Sequence, residues 1–255
     1  MLGIPRLNSL RQLKRCPELF KCRRVTRNWI RLTFAYLGLK KPPFQISMPT
    51  GDFAFSEVSD VATFWQIFCA EVYPVSQTDH TIIDAGANIG IFTLYALLRA
   101  GTSHVIAIEP APDSCARIRS LLRSHNVESR CTLHHIALGA YEGETTIQLA
   151  PASQFRRTGI EGVRVLMKKL DSFVSGPIDF LKMDVEGAEA CVIRSASPMA
   201  LGQIRRIAME YHPQEPLPGL LALLQARGFR ISRVRDDGEG YGLLWLDRDI
   251  AGSNN

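Results

Sequence analysis

The chain lacks a membrane span where one would be sought. The apolar stretch 29–39 is about a dozen residues long, is broken by Arg31, and falls short of the roughly 20 residues a bilayer requires. A secretory leader is not expected, because Arg11, Lys14 and Arg15 interrupt the apolar run that would have to follow a basic start. The six cysteines, Cys16, Cys22, Cys69, Cys115, Cys131 and Cys191, form no CxxC pair and have no histidine nearby at zinc-ligand spacing. Free thiols in a reducing compartment, and hence a cytoplasmic location, are the expectation. Repeats and low-complexity segments are missing, which excludes solenoid and fibrous classes.

What remains is an ordinary globular composition. With 255 residues, 46% hydrophobic and 22% charged, the chain suffices for one α/β core plus a short extension, not for two full-sized domains. The net charge of +5 is unevenly placed, since residues 1–41 hold eleven of the thirty basic residues and only one acid, Glu18. The rest of the chain is therefore mildly acidic. A nucleic-acid partner is not expected, because the basic residues are confined to the arm and form no recognisable nucleic-acid module.

Along the chain, residues 1–43 read as a basic amphipathic helical arm. Leu7, Leu10 and Leu13 recur at helical spacing, Pro17 interrupts, and a second helix is expected over 29–39. Such an arm either packs on its own domain or makes peripheral contact with an anionic membrane, which in a cytoplasmic protein is the inner surface. Residues 44–78 read as a cap or lid, extended over 44–55 and helical over 60–73 with Phe64, Ile67 and Phe68 on one face. Residues 79–250 form the main domain and 251–255 a disordered tail. In that domain strands are expected over 81–85, 104–108 and 130–136, alternating with helices over 89–99 and 113–124, the signature of parallel strands with right-handed crossovers. A hairpin over 144–150 and 163–167 replaces a helix. The sheet then resumes with strands over 178–184 and 206–210, helices over 188–195 and 219–227, and a final antiparallel pair, 229–234 and 243–246, joined at Asp236-Asp237-Gly238.

The most informative segment is TIIDAGANIG, residues 81–90, a short apolar strand entering a glycine turn and then a helix. Gly86 permits a sharp turn beside a ligand, with Ala87 and Asn88 in the turn, and Gly90 lets the helix sit close to the strand. The G-x-G-x-x-G spacing of a pyrophosphate cradle is missing, which speaks against NAD. Asp84 would repel a diphosphate and suits the cationic amino group of a methionine moiety, so the charge pattern favours S-adenosylmethionine. Glu109 ends the next strand, 19 residues after Gly90, where a carboxylate can accept both ribose hydroxyls, and Pro110 opens the following loop. Bland alternatives remain: Asp84 as a helix cap and Glu109 as a solvated loop acid.

DAGANIG at 84–90, IEP at 108–110 and FLKMDVEGAE at 180–189, with Leu170-Asp171 before the last, closely resemble the FkbM family of methyltransferases. The resemblance covers roughly residues 60–246. It implies a class I methyltransferase fold of Rossmann-like type, a mostly parallel seven-stranded sheet with a C-terminal antiparallel pair. It further implies S-adenosylmethionine as cofactor and O-methylation of a sugar, polysaccharide or secondary-metabolite hydroxyl.

On the acceptor side, Asp184 ends a central strand and is expected to orient or deprotonate the acceptor hydroxyl. Glu186 shapes the loop or the cofactor's amino end, unless it and Glu189 merely stabilise a helix start. Lys182 shares a strand face with Asp184 and reads as a buried pairing partner. Glu210 and His212 end the next strand, with His212 a candidate general base oriented by Glu210. His134 and His135 read as structural. A divalent metal on Asp184, Glu210 and His212 is chemically open, but no metal site is assigned. Two other functions compete with methyl transfer: a nicotinamide-dependent sugar oxidoreductase, and a membrane-surface or glycan-binding adaptor with a vestigial cofactor site. The acceptor's identity and the oligomeric state are not encoded in these motifs.

Overall fold

The structure, a computed structural model, describes residues 16–99, 101–147 and 162–248. By its internal contacts the chain divides into two units, Met1–Pro74 with Arg119–Glu128, and Val75–Ile118 with Ser129–Asn255.

The described part of the first unit begins with helices α1 (Cys16–Val25) and α2 (Trp29–Tyr36). An antiparallel hairpin of β1 (Phe44–Met48) and β2 (Gly51–Phe55) follows, then α3 (Val58–Phe64), which runs on into a π-turn over Trp65–Cys69. Alternation along the hairpin turns Phe44, Ile46, Phe53 and Phe55 inward. Phe64 stacks on Phe68 at 4.4 Å and Phe53 lies 4.9 Å from Phe64, so the aromatic residues supply much of this core. Asp60 starts α3 by accepting the backbone N–H groups of Ser56 and Glu57 at 2.9 and 3.1 Å. Trp65 stacks on Tyr36 at 4.2 Å and donates its indole N–H to Glu18 at 2.6 Å. Arm and cap, expected as separate segments, therefore share one core.

Pro17 stands in the first turn of α1, where a residue needs no amide hydrogen bond. The helix expected around Leu7, Leu10 and Leu13 and the tail 251–255 lie outside the described residues. Among the described residues no helix is long and apolar enough to cross a membrane.

The second unit contains β3 (Thr81–Ala85), α4 (Ile91–Leu97), β4 (His104–Ile108), the start of α5 (Pro112–Ser124), β5 (Cys131–His134), β6 (Ala137–Leu138), β7 (Gly143–Ile147) and β8 (Val163–Lys168). It continues with β9 (Ile178–Met183), α6 (Glu189–Ser195), α7 (Pro198–Gly202), β10 (Ile204–Tyr211), α8 (Leu217–Ala226), β11 (Arg230–Gly238) and β12 (Tyr241–Asp247). Seven strands form one sheet in the order β11-β12-β10-β9-β3-β4-β5, with β12 antiparallel to both neighbours and the others parallel. This is the expected α/β, Rossmann-like class I architecture. From β3 the chain builds outward through β4 and β5, then returns to add β9 and β10 on the other side. The loops after β3 and β9 consequently part, leaving a crevice at the carboxyl ends of the strands.

The expected hairpin is present as β7 and β8, joined by β6 in a three-stranded sheet, with residues 148–150 of the anticipated strand outside the description. The reversal between the last two strands falls at Glu239-Gly240, where φ is +55° and +81°, while Asp236 and Asp237 belong to β11. Two successive residues with left-handed backbone give the type I′ geometry that suits a two-residue hairpin. Helix α7 was not anticipated; Pro198 opens it, and the Ser197 hydroxyl accepts the Ala200 N–H at 3.1 Å.

The opposite edge of the sheet is tied by charge. Asp79, fully buried, takes Arg205 at 2.6 Å and also pairs with Arg206, while Asp179 accepts the N–H groups of His80 and Thr81 at 2.8 and 3.0 Å. Replacing Asp79 by Asn should lower the urea midpoint by the equivalent of about 2 kcal/mol at unchanged slope, less than for a fully buried pair because both arginines reach solvent. A midpoint that does not move would show the clamp to be redundant.

Candidate functional site

At the carboxyl edge, β3 hands over to α4 through a turn that only glycine can make. Gly86 has φ +77°, and a Cβ there would come within 1.8 Å of the Asp184 carbonyl oxygen. The turn is fastened by the N–H groups of Gly86 and Ala87, each donating to Ile108 at 3.0 Å. Gly90 caps α4 with φ +87°, close against Ile118. Asn88 takes φ +51°, a conformation asparagine tolerates, and its N–H donates to Glu109 at 2.8 Å. The other Glu109 oxygen accepts the Ala111 N–H at 2.9 Å. Glu109 is thereby held rigid at the end of β4.

Asp84 is enclosed. Lys182, its register partner on β9, places Nζ 3.2 Å from one carboxylate oxygen, and the Thr93 hydroxyl donates to the other at 2.6 Å. The same ammonium donates to the Gly86 carbonyl at 2.6 Å and lies 3.9 Å from Asp184. Burial acts to lower the Lys182 pKa, but the charges of Asp84 and Asp184 outweigh it and hold the amine above its usual range. The expectation that Asp84 itself meets a cationic ligand is thus met by an internal cation instead.

A cavity of about 320 Å³ opens beside this turn. Of the anticipated residues, Gly86, Asn88, Glu109, Pro110, Asp184 and Glu186 line it, whereas Asp84, Ala87, Gly90, Glu210 and His212 do not. Ala137, Leu138, Ile147 and Met167, on strands of the inserted three-stranded sheet, give it an apolar wall. Sequence reasoning did not assign these four, because the hairpin's motif says nothing of where its face points.

Behind the cavity lies an acid-rich cluster. Asp184 keeps 29% of its side chain exposed and is held above the ordinary carboxylate range, by desolvation first and by Glu186, with Lys182 acting against both. Glu210 is buried; desolvation and then the Asp184 charge push its carboxyl to about 8. His212 bonds through Nδ1 to Glu189 at 3.0 Å and places Nε2 3.5 Å from Glu186. Burial alone would lower its pKa, but these two acids raise it to about 11. The imidazole is thus protonated at neutral pH, which disfavours the general-base role anticipated for it, and its orienting partner is Glu189 rather than Glu210. The spacing of Glu189 and His212, 23 residues apart, carries no sequence signal; the pair forms because the start of α6 lies beside the end of β10.

Two outcomes follow. Lys182→Met strands the fully buried Asp84 charge and should destabilise the protein by about 3–5 kcal/mol at pH 7 in chemical denaturation, much of it restored by adding Asp84→Leu. For His212, a folded pKa above the unfolded value means that its stabilisation is complete below the ordinary histidine value of 6.5 and is lost as pH rises toward about 11. Stability should therefore fall across that window, and more steeply in the natural protein than in His212→Asn; parallel curves would show the imidazolium pairs to be energetically silent.

The methyltransferase FkbM domain matches residues 84–231 of the chain. Methyltransferase 1 of Beauveria bassiana (strain ARSEF 2860) is 26% identical over 204 residues, covering 68% of this chain and 82% of that protein. The 31-O-demethyl-FK506 methyltransferase FkbM of Streptomyces tacrolimicus is 25% identical over 193 residues, 61% of this chain and 74% of its own. Among solved structures, a methyltransferase FkbM from Methylobacillus flagellatus KT superposes with a TM-score of 0.51 at 16% identity, over 93% of this chain and 60% of that one. The nicotinamide-dependent reading gives way to methyl transfer. A glycine turn without a diphosphate cradle, on this strand order and with this domain match, places the chain in the FkbM family of methyltransferases.

Proposed function

We propose that the protein is an S-adenosylmethionine-dependent O-methyltransferase acting on a hydroxyl of a sugar, polysaccharide or secondary metabolite. The observation that carries this reading is the cavity at the ends of β4, β3 and β9, with Glu109 and Asn88 on one wall and Asp184 and Glu186 on another. The cofactor fits these residues: Glu109 is pre-set to accept two ribose hydroxyls, and the buried Asn88 Oδ1 has no hydrogen-bond partner among the described residues. The Ala137–Leu138 strand and Pro110 offer an apolar surface suited to a purine ring. The bound cofactor supplies an electrophilic methyl group on a positively charged sulfur.

The chain's own part is positioning and proton removal. Asp184 and Glu186 favour positive charge in the cavity, and Asp184 is the carboxylate placed to orient the acceptor hydroxyl and take up its proton. Asp84 acts indirectly, through Lys182 and the Gly86 carbonyl, by holding the turn that shapes the site. His212 and Glu189 fix the loop that carries Glu186. Oxygen as the acceptor atom is supported by the Streptomyces relative, a 31-O-demethyl-FK506 methyltransferase, and exclusion of nucleic acid rests on the charge distribution alone.

Calorimetry with S-adenosylhomocysteine should show one site per chain, weakened about tenfold or more in Glu109→Ala through loss of hydrogen bonds to a charged acceptor. Asp184→Asn should retain that affinity and lose turnover; no heat from folded natural protein would remove the cofactor reading. A peripheral membrane role for the arm is supported by exposed Phe20, Ile30, Phe34 and Leu39 standing among Arg23, Arg24, Arg27 and Arg31. Ile30→Glu with Phe34→Glu should then abolish co-sedimentation with phosphatidylserine-containing vesicles, and equal partitioning of both proteins would rule the role out.

A further inference from the structure

The first unit carries an open cavity of its own, of about 530 Å³, lined by Arg27, Asn28, Ile30, Arg31, Phe34 and Lys40. Three of these side chains are cations and none is an acid. Among the described residues Arg27, Arg31 and Lys40 have no ion pair, although other cations of the same unit find one, Lys21 with Glu71 and Arg123 with Glu128. The positive charge of this cavity is therefore uncompensated.

The cations are also gathered on a fixed frame. The Arg31 guanidinium carbon lies 5.3 Å and the Lys40 ammonium 5.8 Å from the centre of the same Phe44 ring. Phe55 stacks on that ring at 4.7 Å, so one face is taken and both cations crowd onto what remains. The Arg27 N–H donates to the Ser47 carbonyl at 3.2 Å, and Asn28 Oδ1 accepts the Ser47 N–H at 2.7 Å, which fastens the turn between α1 and α2 to β1. Beyond α2 the chain folds back, and the Lys40 N–H donates to the Phe34 carbonyl at 3.2 Å. Like charges held together in this way repel, and attraction to a ring at an exposed site offsets little of that, so an anion is favoured between them. Ile30 and Phe34, one turn apart on α2, stand exposed beside the cations. A cationic hollow flanked by bare apolar side chains matches an amphiphile with a charged head and a hydrocarbon tail.

We propose that this cavity receives the phosphomonoester headgroup of a membrane lipid, phosphatidic acid being the simplest, with Arg27, Arg31 and Lys40 on the phosphate oxygens and Ile30 and Phe34 at the acyl boundary. The inference rests on the membrane reading above and adds a headgroup to it. A phosphodiester such as phosphatidylserine offers the cavity a phosphate with a single negative charge, whereas a monoester exposes three terminal oxygens and approaches a second charge, enough to engage three cations at once. Arginine can take two of those oxygens as a fork, and lysine acts as a point charge. The apolar flank selects a lipid over a free sugar phosphate.

The test is co-sedimentation of the full chain with phosphatidylcholine vesicles carrying either phosphatidic acid or phosphatidylserine at matched surface charge. Phosphatidic acid vesicles should bind about tenfold more tightly, and Arg31→Gln with Lys40→Gln should bring the two lipids to the same affinity. Arg23→Gln with Arg24→Gln removes as much charge from exposed positions outside the cavity; it should weaken both and keep the preference. Arg31→Lys, which retains the charge and loses the fork, should lower phosphatidic acid binding and leave phosphatidylserine binding unchanged. Glycerol 3-phosphate at the lipid's concentration should not displace the protein, and displacement would overturn the lipid in favour of a soluble phosphate. Equal affinity of the natural protein for both vesicles would overturn the headgroup pocket and leave the membrane reading standing, whereas sedimentation with neither would end both.

Discussion

The ammonium group of Lys182 is the constraint on which the rest of the site depends. It is enclosed at the middle of the sheet's carboxyl edge, where it reaches the Asp84 carboxylate, the Gly86 carbonyl and the flank of Asp184. Asp84 sits at the end of β3 with no exposure, a position tolerable for a charge only because the opposing cation is fixed on the neighbouring strand. Through the Gly86 carbonyl the same group sets the turn into α4, and through Asp184 it reaches the acceptor side. One amine therefore couples the two halves of the cavity.

Around that amine the charges do not balance. Asp84, Asp184, Glu186, Glu189 and Glu210 are five carboxyl groups set against Lys182 and His212, with Glu210 pushed up to about 8 and so largely neutral at pH 7. Both Asp184 and Glu210 are pushed upward, which is the cost of desolvating like charges side by side. Such an excess is suited to attracting positive charge into the cavity, and it explains why His212 is kept as an imidazolium rather than poised as a base. The strands share the labour unequally: the edge with Asp79, Asp179, Arg205 and Arg206 is saturated with pairs and holds the sheet, while the opposite edge keeps its acids only partly satisfied. Stability and chemistry are thus assigned to opposite ends of the same strands.

The inserted sheet of β6, β7 and β8 adds an apolar wall to the cavity at the strand ends. Its Ile147 and Met167 line the cavity from a segment that has no counterpart in the simple strand-helix alternation. Substitutions there would reshape the cavity without touching the turn at Gly86 or the clamp on Glu109.

The strand-turn-helix at 81–90, the acid at 109 and the parallel alternation were legible in the chain, because apolar periodicity and glycine placement act locally. The order of elements and the hairpin insertion follow from the same short-range logic. What residues face was a different matter. Asp84 looked like a ligand for an external cation and met an internal one, His212 looked like a base and proved to be clamped by Glu189, and the last turn moved from Asp236-Asp237 to Glu239-Gly240. Motifs report which groups reach a strand end, since that is a property of sequence spacing. Their protonation and partners were decided only by tertiary structure, because burial and the charges of residues distant in the chain set both.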